Sequence, residues 1–116
     1  MKLGLVTYNW GKDWDLPTIL KNLQLAGWGG VELRSTHKHG VETTLDASAR
    51  KDVAKQFNDA GIELVGLGSA CEYHSEDPSV VKKNIEETKA FIVLAHDCGG
   101  RGVKVRPNGL PMNSTP

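Results

Sequence analysis

One pattern recurs three times along this chain of 116 residues: the tail of a helix, a glycine, and a short run rich in apolar residues. The three copies span residues 25–33, 59–65 and 97–105. A glycine just beyond a helix adopts the left-handed conformation that ends it, and the apolar run is typical of a buried strand. With an opening strand at 2–8, the pattern predicts four strands alternating with three helices, as in a parallel sheet, whose chemistry gathers at the carboxyl ends of the strands.

Capping signals place the three helices. Asp15, Asp46 and Asp77 each precede a helical pattern, and a proline follows two of them within the first turn. We therefore expect helices over about 16–26, from Asp46 to Gly61, and from Asp77 to Gly99. The predicted buried face of the third helix contains Val81, Ile85, Thr88, Ile92 and Ala95.

The strands are predicted near 2–8, 30–34, 62–68 and 102–106, in sequential order with the helices on one face, because right-handed crossovers place successive parallel strands side by side. The opposite, inner face is expected to carry Val6, Val65 and Leu67. A closed eight-stranded βα barrel needs about 250 residues, so the chain supplies about half of one. The tail at 106–116 is too rich in Pro, Asn and Gly to form a fourth helix. These features favour a half-barrel fragment, residues 1–116 forming one partial domain, over a small open sheet.

Composition excludes some classes of partner. The 14 basic and 14 acidic residues give a formal net charge of zero, without the basic excess typical of nucleic-acid binders. No apolar run approaches the roughly 18 residues of a membrane span, and no signal segment precedes the first strand. We therefore expect a cytoplasmic protein with no nucleic-acid or membrane partner. Cys71 and Cys98 are expected to be reduced thiols.

Charged residues alternate with apolar ones in two of the strands. Glu32 and Arg34 do so in the second strand, and Lys104 and Arg106 in the fourth. Unpaired charges facing a barrel interior would be costly, so they must pair with each other or with a ligand. For Glu32 and Lys104, a structural ion-pair network and substrate contact both remain open. Arg34 and Arg106 lie nearer the strand ends, where guanidinium groups could bind a carboxylate, a phosphate or vicinal hydroxyls.

The loops after the strands add further polar candidates. His37 and His39 could share a metal, contact substrate, or belong to a solvated turn. After the third strand, the candidate contacts are Ser69, Cys71 and Glu72, although Cys71 has no identifiable base to activate it as a nucleophile. His96 and Cys98, at the end of the third helix, are predicted to be packing residues.

Aromatic residues follow the first strand. Tyr8, Trp10 and Trp14 could form a wall against the apolar face of a sugar ring, or could pack the loop. Trp28 is expected to pack at the opposite end of the barrel.

Four segments together resemble the sugar phosphate isomerase/epimerase family of xylose isomerase-like TIM barrels. They are Val31-Glu32-Leu33-Arg34 after an Ala-Gly-Trp helix tail, Gly66-Leu67-Gly68-Ser69, Asn84-Ile85-Glu86-Glu87-Thr88, and Gly102-Val103-Lys104-Val105-Arg106-Pro107. The resemblance implies the first four strands of such a barrel. It also implies that a divalent metal (Mn, Mg, Co or Zn) and the acid/base carboxylates come mainly from strands five to eight. This chain would then hold no metal itself and would supply a substrate-side half site of Arg34, His37, Arg106 and Glu72.

Three functions are consistent with these features. The first is a sugar or sugar-phosphate isomerase or epimerase that moves a proton with the assistance of a metal, with this chain binding substrate through Glu32, Arg34, His37, Cys71, Glu72, Lys104 and Arg106. The second is a catalytically silent half-barrel that binds a ligand or pairs with another subunit; its open sheet edges favour a homo-oligomer. The third, a metal-dependent amidohydrolase using His37 and His39, is weaker because that histidine pair lies in a loop beyond the strand.

Overall fold

The computed structural model describes residues 1–107 and forms a four-stranded parallel sheet with three helices. In chain order, the elements are β1 (Gly4–Val6), α1 (Leu16–Ala26), β2 (Gly30–Arg34), α2 (Ala47–Ala60), β3 (Glu63–Glu72), α3 (Pro78–Cys98) and β4 (Val103–Arg106). The strands lie in the sequential order β1-β2-β3-β4, and neighbouring strands are parallel. The predicted half-barrel topology is confirmed.

Side-chain caps and glycines set the ends of the helices. The Asp15 carboxylate accepts a hydrogen bond from the Thr18 N–H at 2.9 Å, and Asp46 caps α2 in the same way. Gly27 and Gly61 have φ angles of 74° and 67°, which are strained for any residue with a Cβ. The repeat of helix tail and glycine therefore marks real helix ends.

The hydrophobic core lies between the helices and one face of the sheet. Its buried members include Ile19, Leu23, Val31, Leu33, Phe57, Leu64, Leu67, Cys71, Phe91, Leu94 and Cys98. Burial of this apolar layer supplies the main driving force for folding. The packing predicted for Cys98 is confirmed, whereas His96 lies on the surface with its side chain 89% exposed, so the prediction that it packs was wrong.

A β-bulge reverses one predicted orientation. Val31 pairs with Leu64, but the next residue, Glu32, pairs with Gly66, so Val65 is an extra residue in β3. The bulge leaves Val65 on the open face and turns Leu67 into the core, where it is 2% exposed. The prediction that Leu67 faces the barrel interior was therefore wrong, because simple alternation does not anticipate the inserted residue.

The third helix packs through a different stripe from the predicted one. Phe91, Leu94, Ala95 and Cys98 are its buried residues, whereas Ile85 and Ile92 are exposed. Only Ala95 of the predicted face is buried. The helix is apolar on more than one side, so periodicity alone did not identify the side that faces the sheet.

The face of the sheet opposite the helices is open. Val6 and Val65 lie there, 44% and 46% exposed, and border a hollow of about 440 Å³ that Glu32 and Lys104 also line. Within residues 1–107, no helix is both long enough and apolar enough to cross a membrane. The predicted absence of a helix in the tail concerns mainly residues 108–116, which lie outside the described residues.

Candidate functional site

Arg34, the last residue of β2, is held by three separate contacts. Its backbone N–H donates to the Thr7 hydroxyl at 2.9 Å, and its carbonyl accepts from the His39 Nε2–H at 2.6 Å. Its guanidinium carbon lies 4.3 Å from the centre of the Tyr8 ring, a cation–π arrangement. In the described part of the chain, this guanidinium has neither a hydrogen bond nor an ion pair. The strand end thus presents a fixed cation with unused donors.

Glu32 and Lys104 form an ion pair across β3. The Lys104 Nζ lies 3.5 Å from a Glu32 carboxylate oxygen, although β3 lies between their two strands. Gly68 makes this crossing feasible, because a Cβ there would lie 3.6 Å from the Glu32 carboxylate and 3.0 Å from the Arg34 Cγ. Of the two alternatives for Glu32 and Lys104, the structure thus contains the ion pair, and within residues 1–107 no ion pair joins Glu32 to Arg34.

His37 lies in the loop directly after Arg34. Its Nδ1 is buried and has no hydrogen-bond partner among the described residues. Burial is the main cause that lowers the pKa of His37; the charges of Arg34 and Lys12 lower it further, while Asp13 opposes them. His37 is therefore a neutral imidazole beside cationic groups at neutral pH.

His39 supports the loop and is not an open ligand. It is 7% exposed, and while Nε2 donates to the Arg34 carbonyl, Nδ1 accepts from the Val41 N–H at 2.9 Å. Both nitrogens are used, which fixes the neutral tautomer. The rings of His37 and His39 are 6.1 Å apart and nearly perpendicular.

The described residues do not fit a metal site. In residues 1–107, no three His, Cys, Asp or Glu side chains lie close enough together to hold a metal ion. The His37–His39 pair, for which sharing a metal was one of the predicted roles, lacks a third donor in residues 1–107 and has one ring committed to hydrogen bonds.

A second polar group lies further along the strands. Glu72 and Arg106 are paired in register at the ends of β3 and β4, and the His74 Nε2 lies 3.7 Å from the Glu72 carboxylate. Arg34 is level with Gly68, so its backbone and that of Arg106 are about 10 Å apart across β3 and further apart along it. The guanidinium of Arg34 also leans toward Tyr8, beyond β1. The two arginines therefore start from separate backbone positions, and a ligand site shared by both guanidinium groups stays a prediction.

Two of the predicted contacts, Ser69 and Cys71, lie within β3 and have structural roles. The Ser69 hydroxyl donates to the Lys104 carbonyl at 2.7 Å and accepts from the Cys71 N–H, bridging the irregular pairing of β3 with β4. Cys71 is fully buried in the core, away from the strand-end groups. Neither residue belongs to the cluster around Arg34.

The three tryptophans do not form a wall at the strand ends. Trp10, Trp14 and Trp28 all line a hollow of about 150 Å³ beside α1, together with Leu5 and Leu23. Trp14 packs against the core, as the packing alternative predicts, and Trp28 packs there as well. Trp28 is nevertheless a neighbour of the other two rather than remote from them. Tyr8 alone joins the strand-end cluster.

Sequence reasoning missed the residues that position Arg34. Thr7 is fully buried, and no local signal links it to a residue 27 positions away. Gly68 gives space to the Arg34 and Glu32 side chains from a different strand. Both roles arise from strand pairing, which becomes visible only in three dimensions.

No family model and no curated protein sequence matches this chain. Solved structures do match it. D-psicose 3-epimerase, determined with D-fructose, matches with a TM-score of 0.73 and 16% identity over 90% of this chain and 37% of that protein. L-ribulose 3-epimerase matches with a TM-score of 0.67 and 21% identity over 90% of this chain and 35% of that protein.

A third matching structure is a fusion protein. A fusion of a xylose isomerase-like TIM barrel with 4-hydroxyphenylpyruvate dioxygenase matches with a TM-score of 0.69 and 19% identity, over 90% of this chain and 16% of the fusion. The fold that this chain shares with these three structures is that of a TIM barrel. The chain corresponds to the N-terminal part of this barrel and spans little more than a third of each epimerase. At these identities the likeness establishes the fold.

Proposed function

We propose that this chain is the substrate-binding part of a sugar or sugar-phosphate isomerase or epimerase, acting in the cytoplasm on a small polar substrate. One observation carries the proposal: Arg34 is fixed at the carboxyl end of a barrel strand while its guanidinium has no acceptor among the described residues. In TIM barrels, this end of the strands is where active sites lie. The epimerases among the structural neighbours support a sugar as the substrate class.

The geometry suits recognition of adjacent oxygens. Tyr8 covers one face of the Arg34 guanidinium, so hydrogen bonding is directed through its edges, where paired N–H groups can bind two oxygens of one ligand. His37 adds an imidazole next to it, and the Glu32–Lys104 pair borders the interior below. Several polar contacts would orient the carbon chain of a sugar held in this way. The carbon that exchanges a proton would then have a fixed position.

The catalytic groups belong, in this proposal, to other strands of the barrel. Proton transfer between carbons needs an acid/base pair and, by the family resemblance, a divalent metal such as Mn, Mg, Co or Zn. The described residues do not fit a metal, so no catalytic step is assigned to one here. The 116-residue chain alone is expected to bind substrate without turning it over.

Binding tests the proposal directly. Isothermal titration calorimetry of the chain with D-fructose, D-psicose, L-ribulose and fructose 6-phosphate should give saturable binding to at least one of them. A nucleoside serves as a comparator of similar polarity that the site should not bind. Absence of saturable binding by all four sugars would contradict the proposed function.

One observation favours a second candidate, a silent half-barrel that associates with another subunit. The open sheet face exposes Val6 and Val65, and within the described residues β1 and β4 are each paired on one side only. Exposed apolar patches and unpaired strand edges promote association. In this alternative the chain is a homo-oligomer and Arg34 serves ligand binding alone.

A further inference from the structure

Arg34 differs from the other arginines whose side-chain contacts the structure describes. Arg50 binds Asp97 at 2.9 Å and two backbone carbonyls, and Arg101 binds Glu63 at 2.5 Å. Arg34 has no such acceptor in residues 1–107. The carboxylate two residues earlier on the same face, Glu32, is paired with Lys104 instead.

The positive charge at this strand end is reinforced by the neighbouring loops. The Lys12 carbonyl accepts a hydrogen bond from the Lys38 N–H at 3.0 Å, which ties the loop after β1 to the loop after β2. Arg34 and Lys12 both act electrostatically on His37, against Asp13 alone. The Glu32–Lys104 pair is neutral as a unit, and the Glu42 carboxylate accepts from the Thr36 N–H at 2.6 Å, so neither of these carboxylates is paired with the Arg34 guanidinium.

The buried Nδ1 of His37 is the second, independent observation. It lies next to this cationic group and lacks a hydrogen-bond partner among the described residues. A buried polar atom without a partner is uncommon in folded proteins and often marks a functional position. A ligand oxygen that reached both Arg34 and His37 would satisfy this atom and the charge together.

We propose that Arg34 and His37 form an oxyanion-binding subsite, which takes the carboxylate or phosphate group of the substrate. This inference rests on the proposed function and narrows it, because a neutral ketose would leave the Arg34 guanidinium without a counter-charge. The rigid support of Arg34 by Thr7, His39 and Tyr8 means that little conformational freedom is lost on binding.

The test uses inorganic phosphate as the probe, titrated into the chain at constant ionic strength so that general screening does not change. Arg34→Met removes the charge and keeps the aliphatic stem, and Arg34→Lys keeps the charge but loses the paired donors. Arg101→Met is the matched control, because this exposed arginine precedes β4 at the other end of the sheet. His37→Gln probes the second contact.

We expect the wild type and Arg101→Met to bind phosphate with equal affinity. Arg34→Met should weaken binding by about tenfold or more, and Arg34→Lys and His37→Gln by several-fold. Circular dichroism shows whether each variant is folded. If Arg34→Met is unfolded, the phosphate affinity of Arg34→Lys tests the proposal instead. Equal phosphate affinity in the wild type and the folded Arg34 variant overturns the proposal, as does an equal loss in Arg101→Met.

Three ligands separate this inference from the proposed function. Fructose 6-phosphate, D-gluconate and D-fructose compare a phosphate, a carboxylate and a neutral sugar. A preference for either anion over D-fructose that is lost in Arg34→Met supports the subsite. The anion that binds more tightly shows whether the subsite takes a phosphate or a carboxylate. D-fructose binding as tightly as fructose 6-phosphate and D-gluconate would overturn the subsite while leaving the proposed function standing. Phosphate binding through Arg34 without binding of any sugar would support the subsite and contradict the proposed function.

Discussion

Arg34 owes its position to contacts from two other parts of the chain. Alternation in β2 predicted that Arg34 would lie at a strand end, and this needed only the neighbouring residues. Its support by Thr7 and His39 could not be predicted, because one contact comes from the residue directly after β1 and the other from a loop that folds back. The sequence therefore identifies the charged residue but not what holds it.

Thr7→Val tests the support of Arg34. The substitution keeps the shape of a buried side chain and removes the acceptor of the Arg34 N–H. An unmet buried donor costs about 1 to 3 kcal/mol, and we expect the free energy of unfolding in urea to fall by that amount. Thr44→Val, at an exposed position, is the control and should stay within about 0.5 kcal/mol of wild type. A Thr7→Val variant as stable as Thr44→Val would mean that the hydroxyl contributes nothing.

His39 predicts how stability depends on pH. Burial lowers its pKa, and His37 lowers it further, while the hydrogen bond to the Arg34 carbonyl partly opposes both. Below the ordinary histidine pKa of about 6.5, the unfolded chain binds more protons than the folded one, so stability falls as pH decreases through that region. Protonation would also place an Nδ1–H against the Val41 N–H, which breaks their hydrogen bond.

Urea unfolding between neutral pH and about pH 5 measures this effect. His39→Gln, which does not titrate, should show a weaker fall in stability with decreasing pH and retain the part due to His37, whose pKa is also lowered. His96→Gln changes an exposed side chain and should follow the wild type. A pH profile of His39→Gln identical to that of the wild type would rule out this role for His39.

At the level of helices and strands, local signals worked where the cause was local. Helix α1 begins after Asp15 and ends before Gly27, as predicted, because each cap acts on the nearest turn of the helix. The length of β3 and its bulge at Val65 were not predicted, because an inserted residue is defined by the pairing with β2. That single bulge decides which β3 residues face the interior, and Gly68 then lies beside the Arg34 and Glu32 side chains.

Glycines of the open sheet face should differ in their tolerance of a methyl group. In Gly66→Ala, the new Cβ would lie 2.9 Å from the Gly102 carbonyl oxygen, and a backbone atom cannot easily move. We expect a loss of about 1 to 3 kcal/mol in the free energy of unfolding. Gly68→Ala meets the flexible Arg34 stem at 3.0 Å and should cost less stability while weakening ligand binding.

Gly102→Ala is the matched control, because no atom lies within 4 Å of its added Cβ. Thermal unfolding ranks the three variants, and the expected order of stability is Gly102→Ala, then Gly68→Ala, then Gly66→Ala. A Gly66→Ala variant as stable as Gly102→Ala would show that β3 and β4 separate easily at this point.

For the whole molecule, the repeat and the chain length were enough to predict a half-barrel, and the solved epimerases share that fold. The location of the aromatic residues was harder to predict, because Trp10, Trp14 and Trp28 meet through packing beside α1 and not through the strand order. The spacing of the repeat along the chain thus predicts the strand order. The residues that line each hollow depend on side-chain packing, which the spacing does not reveal.

The open sheet predicts self-association of the chain as it stands. Val6 and Val65 lie on an uncovered face, and exposed apolar surface of several hundred Å² usually finds a partner. Sedimentation velocity over a range of concentrations should show a dimer or larger species, and Val65→Lys, which adds charge to that face, should shift the population toward monomer. A wild-type chain that stays monomeric and folded at high concentration would contradict this expectation.

The central claim is that the carboxyl ends of these strands bind a sugar through Arg34. Amide chemical-shift mapping during titration with a ketose or its phosphate tests it most directly, because each amide reports its own surroundings. We predict saturable shifts concentrated at Thr7, Tyr8 and residues 34–37, and their loss in Arg34→Met with the remaining spectrum preserved. Shifts concentrated instead around Trp10, Trp14 and Trp28, or no saturable shifts at all, would contradict the account.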